Sequence, residues 1–400
     1  MRILLVNDYA TATAGAERVT LDLRDGLRAR GHDVRVFASR AQLIAGESFA
    51  DTTCYGTNTR LQTLTSTVNR SAASALRREL QEFTPDVVQV QMFLWQLSPS
   101  ILPLLRDVPS IYWASTFKAV CPTGLKWLPS GAPCAVRAGA ACLRHGCITL
   151  TGFGPLMLQR ALWRRRRRAF AAVVSCSHAV RRQLEIDGIE TRDVIWPGVS
   201  ERARRPPLAG PPTVTFAGRL RVEKGADVLV RAFARARQRV PAARLSLAGA
   251  GPAEPALRAL IEQLGLGDVV TLHGQLGGET LERTLDSGWV HAVPSRWPEP
   301  FGLTATEAMM RGTAVVASDI GGLAESVAHG TTGMLVPAGD VDALADALSL
   351  VLSDRALAER LGDAGRERAR TYFTLDDCIA RFERLYDDLR SPTPLPHHAA

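Results

Sequence analysis

The sequence contains few lysines and no long apolar run. Only three of its 48 basic residues are lysines (Lys118, Lys126 and Lys224), so a lysine stands out wherever it occurs. No stretch approaches the roughly 18 uncharged apolar residues that a membrane-spanning helix needs. The opening MRILLVNDYA holds one basic residue and an apolar run of four, which is too short for a signal peptide. We therefore expect a cytoplasmic protein.

Two short motifs are also missing, and each absence disfavours a class of site. There is no Walker A lysine motif, which argues against ATP or GTP hydrolysis. There is no C-x-x-C pair of the kind typical of structural zinc sites. Four of the seven cysteines nevertheless fall within 27 residues: Cys121, Cys134, Cys142 and Cys147. Because stable disulfides are rare in the cytoplasm, these four are either reduced packing residues or ligands of a structural zinc ion.

Composition and charge indicate a folded protein with a basic first half. A length of 400 residues suggests two domains, and 46% hydrophobic with 22% charged residues is typical of a soluble globular chain. Residues 1–200 hold 25 Lys+Arg against 15 Asp+Glu, whereas residues 201–400 hold 23 against 25. Five consecutive arginines at 164–168 supply much of the excess. The asymmetry indicates either an anionic ligand or surface near the first half, or a solvated helix face.

Strand and helix patterns alternate along most of the chain, which predicts parallel sheets covered by helices. Apolar runs such as Ile3–Val6 and Val87–Val90 are separated by amphipathic helices such as Ala16–Arg30. Near residue 200 the alternation stops at ERARRPPLAGPP, which has four prolines and no apolar period, and then restarts. We predict an α/β protein of two doubly wound, Rossmann-like domains facing a shared cleft with the carboxyl ends of their strands.

The predicted division of the chain follows from these patterns. It comprises an N-terminal domain (1–200) with a long cysteine-containing loop (115–151), a linker (201–212), a C-terminal domain (213–372), a last helix (373–390) and a disordered tail (391–400). Long loops inside compact domains are usually functional, so the loop at 115–151 is a candidate functional segment.

Six strand-to-helix junctions carry glycine. In chain order they are 14–17, 217–225, 248–252, 272–274, 295–312 and 318–325. Glycine at such a junction lets a phosphate or a sugar approach the backbone N–H groups at the start of a helix. The second junction adds Arg219 and Lys224, two cations that fit a diphosphate. Each junction alone is a weak signal, but six in order are specific.

The ordered junctions resemble those of the GT-B glycosyltransferases of the retaining family 4. The resemblance rests on these segments: Gly15–Arg18, Gly218-Arg219 with Glu223–Gly225, Gly249–Pro252, His273-Gly274, Pro294-Ser295, the E-x7-E pair Glu299 and Glu307, Gly321–Glu325, and Gly330–Val336. It covers about residues 1–390 and is densest between 213 and 340. It implies a GT-B fold in which the N-terminal domain binds the acceptor, the C-terminal domain binds a UDP- or GDP-sugar, and the last helix crosses back to the N-terminal domain.

The resemblance also implies roles for individual residues. Glu299 would contact the donor sugar and stabilise positive charge at the anomeric carbon, and Glu307 would accept hydrogen bonds from the ribose diol. Arg219 and Lys224 would hold the diphosphate, so that no metal or other cofactor is required. The remaining donor contacts would come from Gly15, Gly218, Gly249, Gly251, His273, Gly274, Phe301, Gly302 and Leu303.

One segment departs from the family pattern. After the strand at 111–113 many relatives carry a His-Asp pair, and Ser115 and Thr116 stand there in this chain. The donor sugar is therefore left open, and we place Ser115 and Thr116 provisionally among the acceptor contacts. The acceptor would be a glycan, a lipid-linked molecule or a small molecule, in the biosynthesis of a cell-surface glycan or a natural product.

Other functions and partners remain open at this stage. A sugar-nucleotide epimerase or a glycan phosphorylase could use the same architecture, as could a scaffold that binds a nucleotide sugar without catalysis. Residues 156–170 combine Trp163 and aliphatic residues with the arginine run. They predict either peripheral contact with anionic lipid at the inner membrane face or a helix with a solvated end. No segment resembles a nucleic-acid-binding fold.

Overall fold

The computed structural model describes residues 1–11, 15–42 and 46–391. The chain divides into two units. Of the described residues, those within 1–125, 135–198 and 375–391 form unit 1, and those within 126–134 and 199–374 form unit 2. The main division at 198/199 lies close to the predicted boundary at 200, whereas residues 126–134, expected in the N-terminal domain, belong to unit 2. Of the tail predicted to be disordered, all but Ser391 lies outside the described residues.

Among the described residues, unit 1 is built on a seven-stranded parallel sheet in the order β3-β2-β1-β4-β5-β6-β7. The strands are β1 (Arg2–Asn7), β2 (Asp33–Ser39), β3 (Thr52–Cys54), β4 (Val87–Val90), β5 (Ser110–Ala114), β6 (Ala172–Ser175) and β7 (Asp193–Val194). The helices are α1 (Gly15–Ala29), α2 (Gln62–Thr67), α3 (Arg70–Phe83), α4 (Ala140–Arg144), α5 (Leu150–Arg166) and α6 (His178–Ile186), with 3₁₀ helices at Pro99–Leu105 and Arg167–Ala169.

Unit 2 repeats this architecture with a parallel sheet of six strands in the part of the chain that the structure describes, in the order β10-β9-β8-β11-β12-β13. The strands are β8 (Thr213–Ala217), β9 (Arg244–Ala248), β10 (Val270–Leu272), β11 (Val290–Val293), β12 (Ala314–Ser318) and β13 (Gly333–Val336). The helices are α7 (Ala226–Arg239), α8 (Glu254–Gln263), α9 (Gly278–Asp286), α10 (Leu303–Met310), α11 (Leu323–Ser326), α12 (Val341–Ser353) and α13 (Arg355–Tyr372), with a 3₁₀ turn at Val222–Lys224. The last helix, α14 (Leu375–Arg390), belongs to unit 1.

The hydrophobic pattern explains why these segments fold as they do. Parallel strands covered on both faces need continuous apolar runs, and Ile3–Val6 in β1 is entirely buried. In α1, Leu23 and Leu27 are spaced by one helical turn and are both fully buried. In unit 1, Trp113 of β5 packs edge-on against Phe382 of α14, with ring centroids 4.9 Å apart.

Two local predictions differ from the structure. The apolar spacing of residues 67–83 predicts a helix, but α3 begins only at Arg70, because the side chain of Asn69 accepts a hydrogen bond from the backbone N–H of Ala72 and caps the helix there. The predicted linker 201–212 packs on unit 2. There the fully buried guanidinium of Arg205 donates to Glu359 (2.8 Å), and Leu208 lies in the hydrophobic core. The prolines of this segment prevent helix and strand formation, but they do not prevent the segment from packing against unit 2.

The strand orders fix where each sheet can bind a ligand. In unit 1 the connections leave β1 and β4 in opposite directions across the sheet, and in unit 2 they do so at β8 and β11. Such a switch point leaves a crevice at the carboxyl ends of the two strands, where doubly wound sheets bind their ligands.

Candidate functional site

The loops that follow β8, β9 and β10 form one hydrogen-bonded layer at the carboxyl edge of the sheet of unit 2. The N–H of Gly218 donates to Ala248 O (3.0 Å), and the N–H of Gly249 donates to Gly274 O (2.7 Å). The N–H of Leu220 donates to Ala250 O (2.9 Å). Four of the predicted donor-binding glycines, Gly218, Gly249, Gly251 and Gly274, therefore lie in adjoining loops.

Close packing explains why two of these positions are glycine. Gly249 has a φ of +146°, and a Cβ there would collide with Gly218 O. A Cβ on Gly251 would collide with Leu220 O in the same way. Any larger residue would push the loops apart, so glycine at these two positions keeps the loops packed against each other.

Lys224 and Glu299 form an ion pair at the switch point of unit 2. Lys224 Nζ lies 2.6 Å from Glu299 Oε1, and the Ser295 hydroxyl donates to the same oxygen at 2.6 Å. The Lys224 ammonium also lies 5.3 Å from the centre of the Trp297 ring. The two charged residues are 75 positions apart, and they meet because one follows β8 and the other follows the adjacent strand β11.

The ion pair keeps the buried carboxylate charged. Burial alone would raise the pKa of Glu299, but the Lys224 charge and the hydrogen bonds from Lys224 and Ser295 lower it below its usual value. The Glu299 side chain is 8% exposed, whereas that of Lys224 is 20% exposed. The site thus presents a partly accessible cation over an ionised acid.

The helix that follows Glu299, α10, begins directly after Gly302. Gly302 adopts a φ of +99° and Leu303 is the first residue of α10, whose first two N–H groups have no acceptor within the helix. The side chain of Phe301 is buried against Phe373 (5.5 Å between ring centroids), so only its backbone can meet a ligand. This end of α10 is suited to binding an anion.

A glycine turn from a neighbouring strand supports the Glu299 loop. The N–H of Gly322 donates to Glu299 O at 2.8 Å. A Cβ on Gly321 would collide with the backbone of Glu299, and one on Gly322 would collide with that of Phe301. The junction at 318–325, which the sequence suggests as a phosphate contact, therefore also acts as a packing surface that holds Glu299 in place.

Glu307 lies within α10 and is paired with an arginine that the sequence analysis placed in a linker. Arg202 Nη2 lies 3.7 Å from Glu307 Oε1. Arg202 also forms an ion pair with Glu282 of α9. The proline-rich context of Arg202 gave no signal for this contact, which only the docking of the segment on unit 2 creates.

The other two polar candidates of unit 2 are exposed. Arg219 follows β8 directly, and in the described part of the chain no carboxylate pairs with its guanidinium. His273 follows β10, and its Nε2 lies 2.9 Å from the hydroxyl of Ser246. Arg219 is therefore available to an anionic ligand, and His273 is oriented by its own sheet.

Two family matches cover both units. Residues 13–203 match the family described as Glycosyltransferase Family 4, and residues 200–368 match the one described as Glycosyl transferases group 1. The chain belongs to the family 4 glycosyltransferases. D-inositol 3-phosphate glycosyltransferase of Mycolicibacterium smegmatis is 35% identical over 238 residues, which are 56% of this chain and 52% of that protein. The chain thus spans about half the length of the curated relatives it matches.

Solved structures share the GT-B fold over nearly the whole chain. Sucrose-phosphate synthase from Thermosynechococcus elongatus superposes with a TM-score of 0.73 at 24% identity, covering 97% of this chain and 99% of that one. The Anabaena protein HepE in complex with UDP and glucose superposes with a TM-score of 0.71 at 19% identity, covering 97% and 100%. The predicted α/β fold of two Rossmann-like sheets is confirmed.

The remaining candidates of this family 4 member lie in unit 1. Gly15 is the first residue of α1, and Ala14, the start of its motif, lies outside the described residues. Ser115 and Thr116 follow β5 and are half-buried, and Thr116 Oγ1 accepts a hydrogen bond from the N–H of Lys118 (3.4 Å). Burial lowers the pKa of Lys118 to about 8, and its ammonium lies 5.4 Å from the centre of the Trp95 ring.

Unit 1 also buries an acid that sequence analysis did not single out. Asp8 follows β1 at the switch point, and its carboxylate accepts the backbone N–H groups of Trp95 (2.9 Å), Gln96 (2.8 Å) and Leu97 (2.7 Å). Burial raises the pKa of Asp8 to about 7, although these three hydrogen bonds lower it. Its position directly after a central strand is the one signal that could have identified it.

The structure does not arrange the cysteines as a zinc site, and it buries the one tryptophan of the basic helix α5. Among the described residues no group of three or more His, Cys, Asp or Glu side chains is arranged to hold a metal, so Cys121, Cys134, Cys142 and Cys147 do not form a zinc site there. Trp163 of α5 is fully buried in an aromatic cluster with Phe93, Tyr112 and Phe170, and it cannot act as a membrane anchor. Within the described ranges, no helix has the length and apolar character to span a bilayer.

Proposed function

We propose that the protein transfers a sugar from a nucleotide-diphosphate donor to a hydroxyl group of an acceptor. The observation that carries this proposal is the Lys224–Glu299 pair at the switch point of unit 2. Membership of family 4 supports it, and so does the likeness of the fold to HepE, which was solved with UDP and glucose.

In this proposal the diphosphate lies between the loop after β8 and the start of α10. Lys224 and Arg219 supply the positive charge, and the N–H groups of the first turn of α10 supply hydrogen bonds. As the glycosidic bond breaks, negative charge grows on the leaving phosphate, and these groups stabilise it. Two cations make a metal ion unnecessary, so we expect turnover to survive chelation with EDTA.

Glu299 acts on the sugar side of the same bond. Its pKa is held below the usual range by Lys224, so the carboxylate is charged at neutral pH. When the diphosphate attracts Lys224, the carboxylate is left to bind sugar hydroxyls and to stabilise positive charge at the anomeric carbon. Glu307, on α10, accepts hydrogen bonds from the ribose.

We further propose that the anomeric configuration is retained, with the acceptor attacking the face from which the nucleotide leaves and the departing phosphate taking its proton. The donor is a UDP- or GDP-linked hexose, and the acceptor is a glycan, a lipid-linked molecule or a small molecule. A cytoplasmic location at or near the inner membrane face, in cell-surface glycan or natural-product biosynthesis, completes the proposal. NMR of the product's anomeric proton would test retention.

The test is incubation of the protein with a panel of UDP- and GDP-sugars and acceptors, with nucleotide release and product mass as readouts. We expect nucleotide release coupled to a product heavier than the acceptor by one sugar. Isomerised donor without transfer would reveal an epimerase, and a requirement for inorganic phosphate would reveal a phosphorylase. Absence of both release and donor binding across the panel would contradict the proposal.

A further inference from the structure

Arg202 links the segment that enters unit 2 to the helix that carries Glu307. Its guanidinium lies 3.7 Å from Glu307 Oε1 and also pairs with Glu282 of α9. The side chains of Arg202 and Glu307 are 29% and 35% exposed, so solvent screens their attraction only in part. Arg202 therefore bridges α9 and α10, and it contacts Glu307, the carboxylate proposed to accept hydrogen bonds from the ribose.

The surroundings hold Arg202 itself in place. Arg366 Nη1 donates to the backbone carbonyl of Arg202 at 2.9 Å, which fixes the main chain at that point. Glu282 is shared with Arg311, whose guanidinium also pairs with Asp286 at 2.6 Å. Arg202 is thus the outermost cation of a network whose other members are tied to α9 and α10.

We propose that Arg202 is a positioning residue for the nucleotide ribose, and that it acts by orienting the carboxylate of Glu307. The proposal rests on the proposed function, because it assumes that a ribose occupies the face of α10 that presents Glu307. A partly exposed glutamate on a helix can adopt several rotamers, and ordering it on binding costs affinity. An ion pair with a fixed arginine reduces that cost before the nucleotide arrives.

A purely structural role predicts a different result. If Arg202 only ties its segment to α9 through Glu282, its loss weakens every ligand equally or lowers stability without changing selectivity. If it positions Glu307, its loss weakens the recognition of the ribose hydroxyl groups in particular. The ratio of affinities for a ribonucleotide and its 2′-deoxy analogue separates the two roles.

The experiment measures the dissociation constants of UDP, 2′-deoxy-UDP, GDP and 2′-deoxy-GDP by calorimetry for five proteins. These are the wild type, Arg202→Ala, Arg202→Lys, Glu307→Gln and the control Arg204→Ala. Arg204 comes from the same segment, but its ion pairs are with Glu359 (3.3 Å) and Asp363 (2.6 Å) of α13. Arg202→Lys keeps the charge and protects the test against a folding failure of the alanine variant.

We expect the wild type to prefer the ribonucleotide by about tenfold or more, as a hydrogen bond to a carboxylate implies. Arg202→Ala should reduce this preference by about threefold to tenfold and raise the donor KM while kcat changes less than about twofold. Arg202→Lys should retain part of the preference, Glu307→Gln should reduce it further than Arg202→Ala, and Arg204→Ala should leave it unchanged.

Two outcomes would overturn the inference, and they can be told apart. Wild-type protein that binds neither UDP nor GDP would overturn the proposed function and this inference with it. A wild-type preference that Glu307→Gln abolishes but Arg202→Ala leaves intact would overturn the role of Arg202 alone.

Discussion

Each unit buries a carboxylate directly beside the switch point of its sheet, Asp8 in unit 1 and Glu299 in unit 2, and the two differ in what faces them. Asp8 of unit 1 follows β1 and accepts three backbone N–H groups, and burial raises its pKa to about 7. Glu299 of unit 2 follows β11 and faces the Lys224 ammonium, which lowers its pKa below the usual range despite burial. The topology is the same, but the electrostatic setting is opposite.

We infer that the difference separates a structural acid, Asp8, from a ligand-binding acid, Glu299. Backbone N–H dipoles orient Asp8 and tie the segment 95–97 to β1, but they do not fully offset the loss of solvation. A full positive charge at 2.6 Å does so for Glu299, and its partner Lys224 remains partly exposed to a ligand. Position at a switch point alone therefore does not identify a reactive carboxylate, and the partner of the carboxylate must be known.

The largest effect should come from removing the cation. We expect Lys224→Ala to lower kcat/KM by about 10²–10³-fold, or roughly 3–4 kcal/mol in the barrier, because the leaving diphosphate loses a preorganised charge. The measurement is steady-state nucleotide release, with circular dichroism to confirm folding. As a matched control, Arg231→Ala removes an exposed cation from α7 and should leave the rate within about twofold. Near-normal turnover of Lys224→Ala would remove this residue from the site.

Removing Asp8 from unit 1 should cost a comparable free energy, but in the stability of the fold rather than in the barrier to reaction. Asp8→Ala leaves the N–H groups of residues 95–97 without their acceptor, which should cost about 3 kcal/mol of unfolding free energy. Chemical denaturation measures the loss, and calorimetry with UDP should give an affinity for the folded protein within about twofold of the wild type. A selective loss of UDP affinity with unchanged stability would show that Asp8 is not a structural acid.

The units should also respond to acid with opposite signs. His291 in β11 of unit 2 is 2% exposed, and burial lowers its pKa to about 4. Since the unfolded chain takes up this proton near pH 6.5, unit 2 should lose up to about 3 kcal/mol as the pH falls from 6.5 to 4. Burial raises the pKa of Asp8, so the folded state binds this proton more tightly than the unfolded chain does. The resulting gain in the stability of unit 1 is fully present below about pH 4 and is lost as the pH rises through 7.

Hydrogen exchange of the amides in β1 and β11, corrected for intrinsic rates, would measure the two responses separately. His291→Gln removes the titrating group and can still hydrogen-bond to Thr215, which lies 3.1 Å from the histidine Nδ1. The acid sensitivity of β11 should therefore diminish in this variant while that of β1 stays the same. Equal acid sensitivity of β11 in the variant and the wild type would show that His291 does not cause the loss of stability of unit 2 in acid.

The sequence predicts the regular elements of unit 2 better than the contacts between them. The segments 213–217, 290–293 and 341–353 are predicted as two strands and a helix, and β8, β11 and α12 have these bounds because each combines a clear apolar period with a turn residue at its end. In unit 1, α14 begins two residues after the predicted start at 373. α9 and β13 were not predicted, because α9 begins at a Gly-Gly pair and β13 begins at Gly333, where the sequence indicates a turn. Local sequence patterns therefore suffice where clear turn residues bound a helix or strand.

The site divides in the same way. The resemblance to the family singles out the two glutamates and the two cations as candidates, but the pairing of Lys224 with Glu299 depends on strand order, which the motifs do not give. Arg202 and Asp8 were missed because their roles arise from packing between segments distant in sequence. The sequence left the role of Trp163 open for the converse reason, since a basic helix with one aromatic residue has the same pattern whether the ring faces lipid or a core.

A crystal structure of the protein grown with UDP tests the central claim most directly. The account predicts that the diphosphate lies within hydrogen-bond distance of Lys224 Nζ and the Arg219 guanidinium, that it meets the first turn of α10, and that the ribose lies against Glu307. UDP bound anywhere else, with Lys224 still paired to Glu299 and no phosphate beside it, would contradict the account.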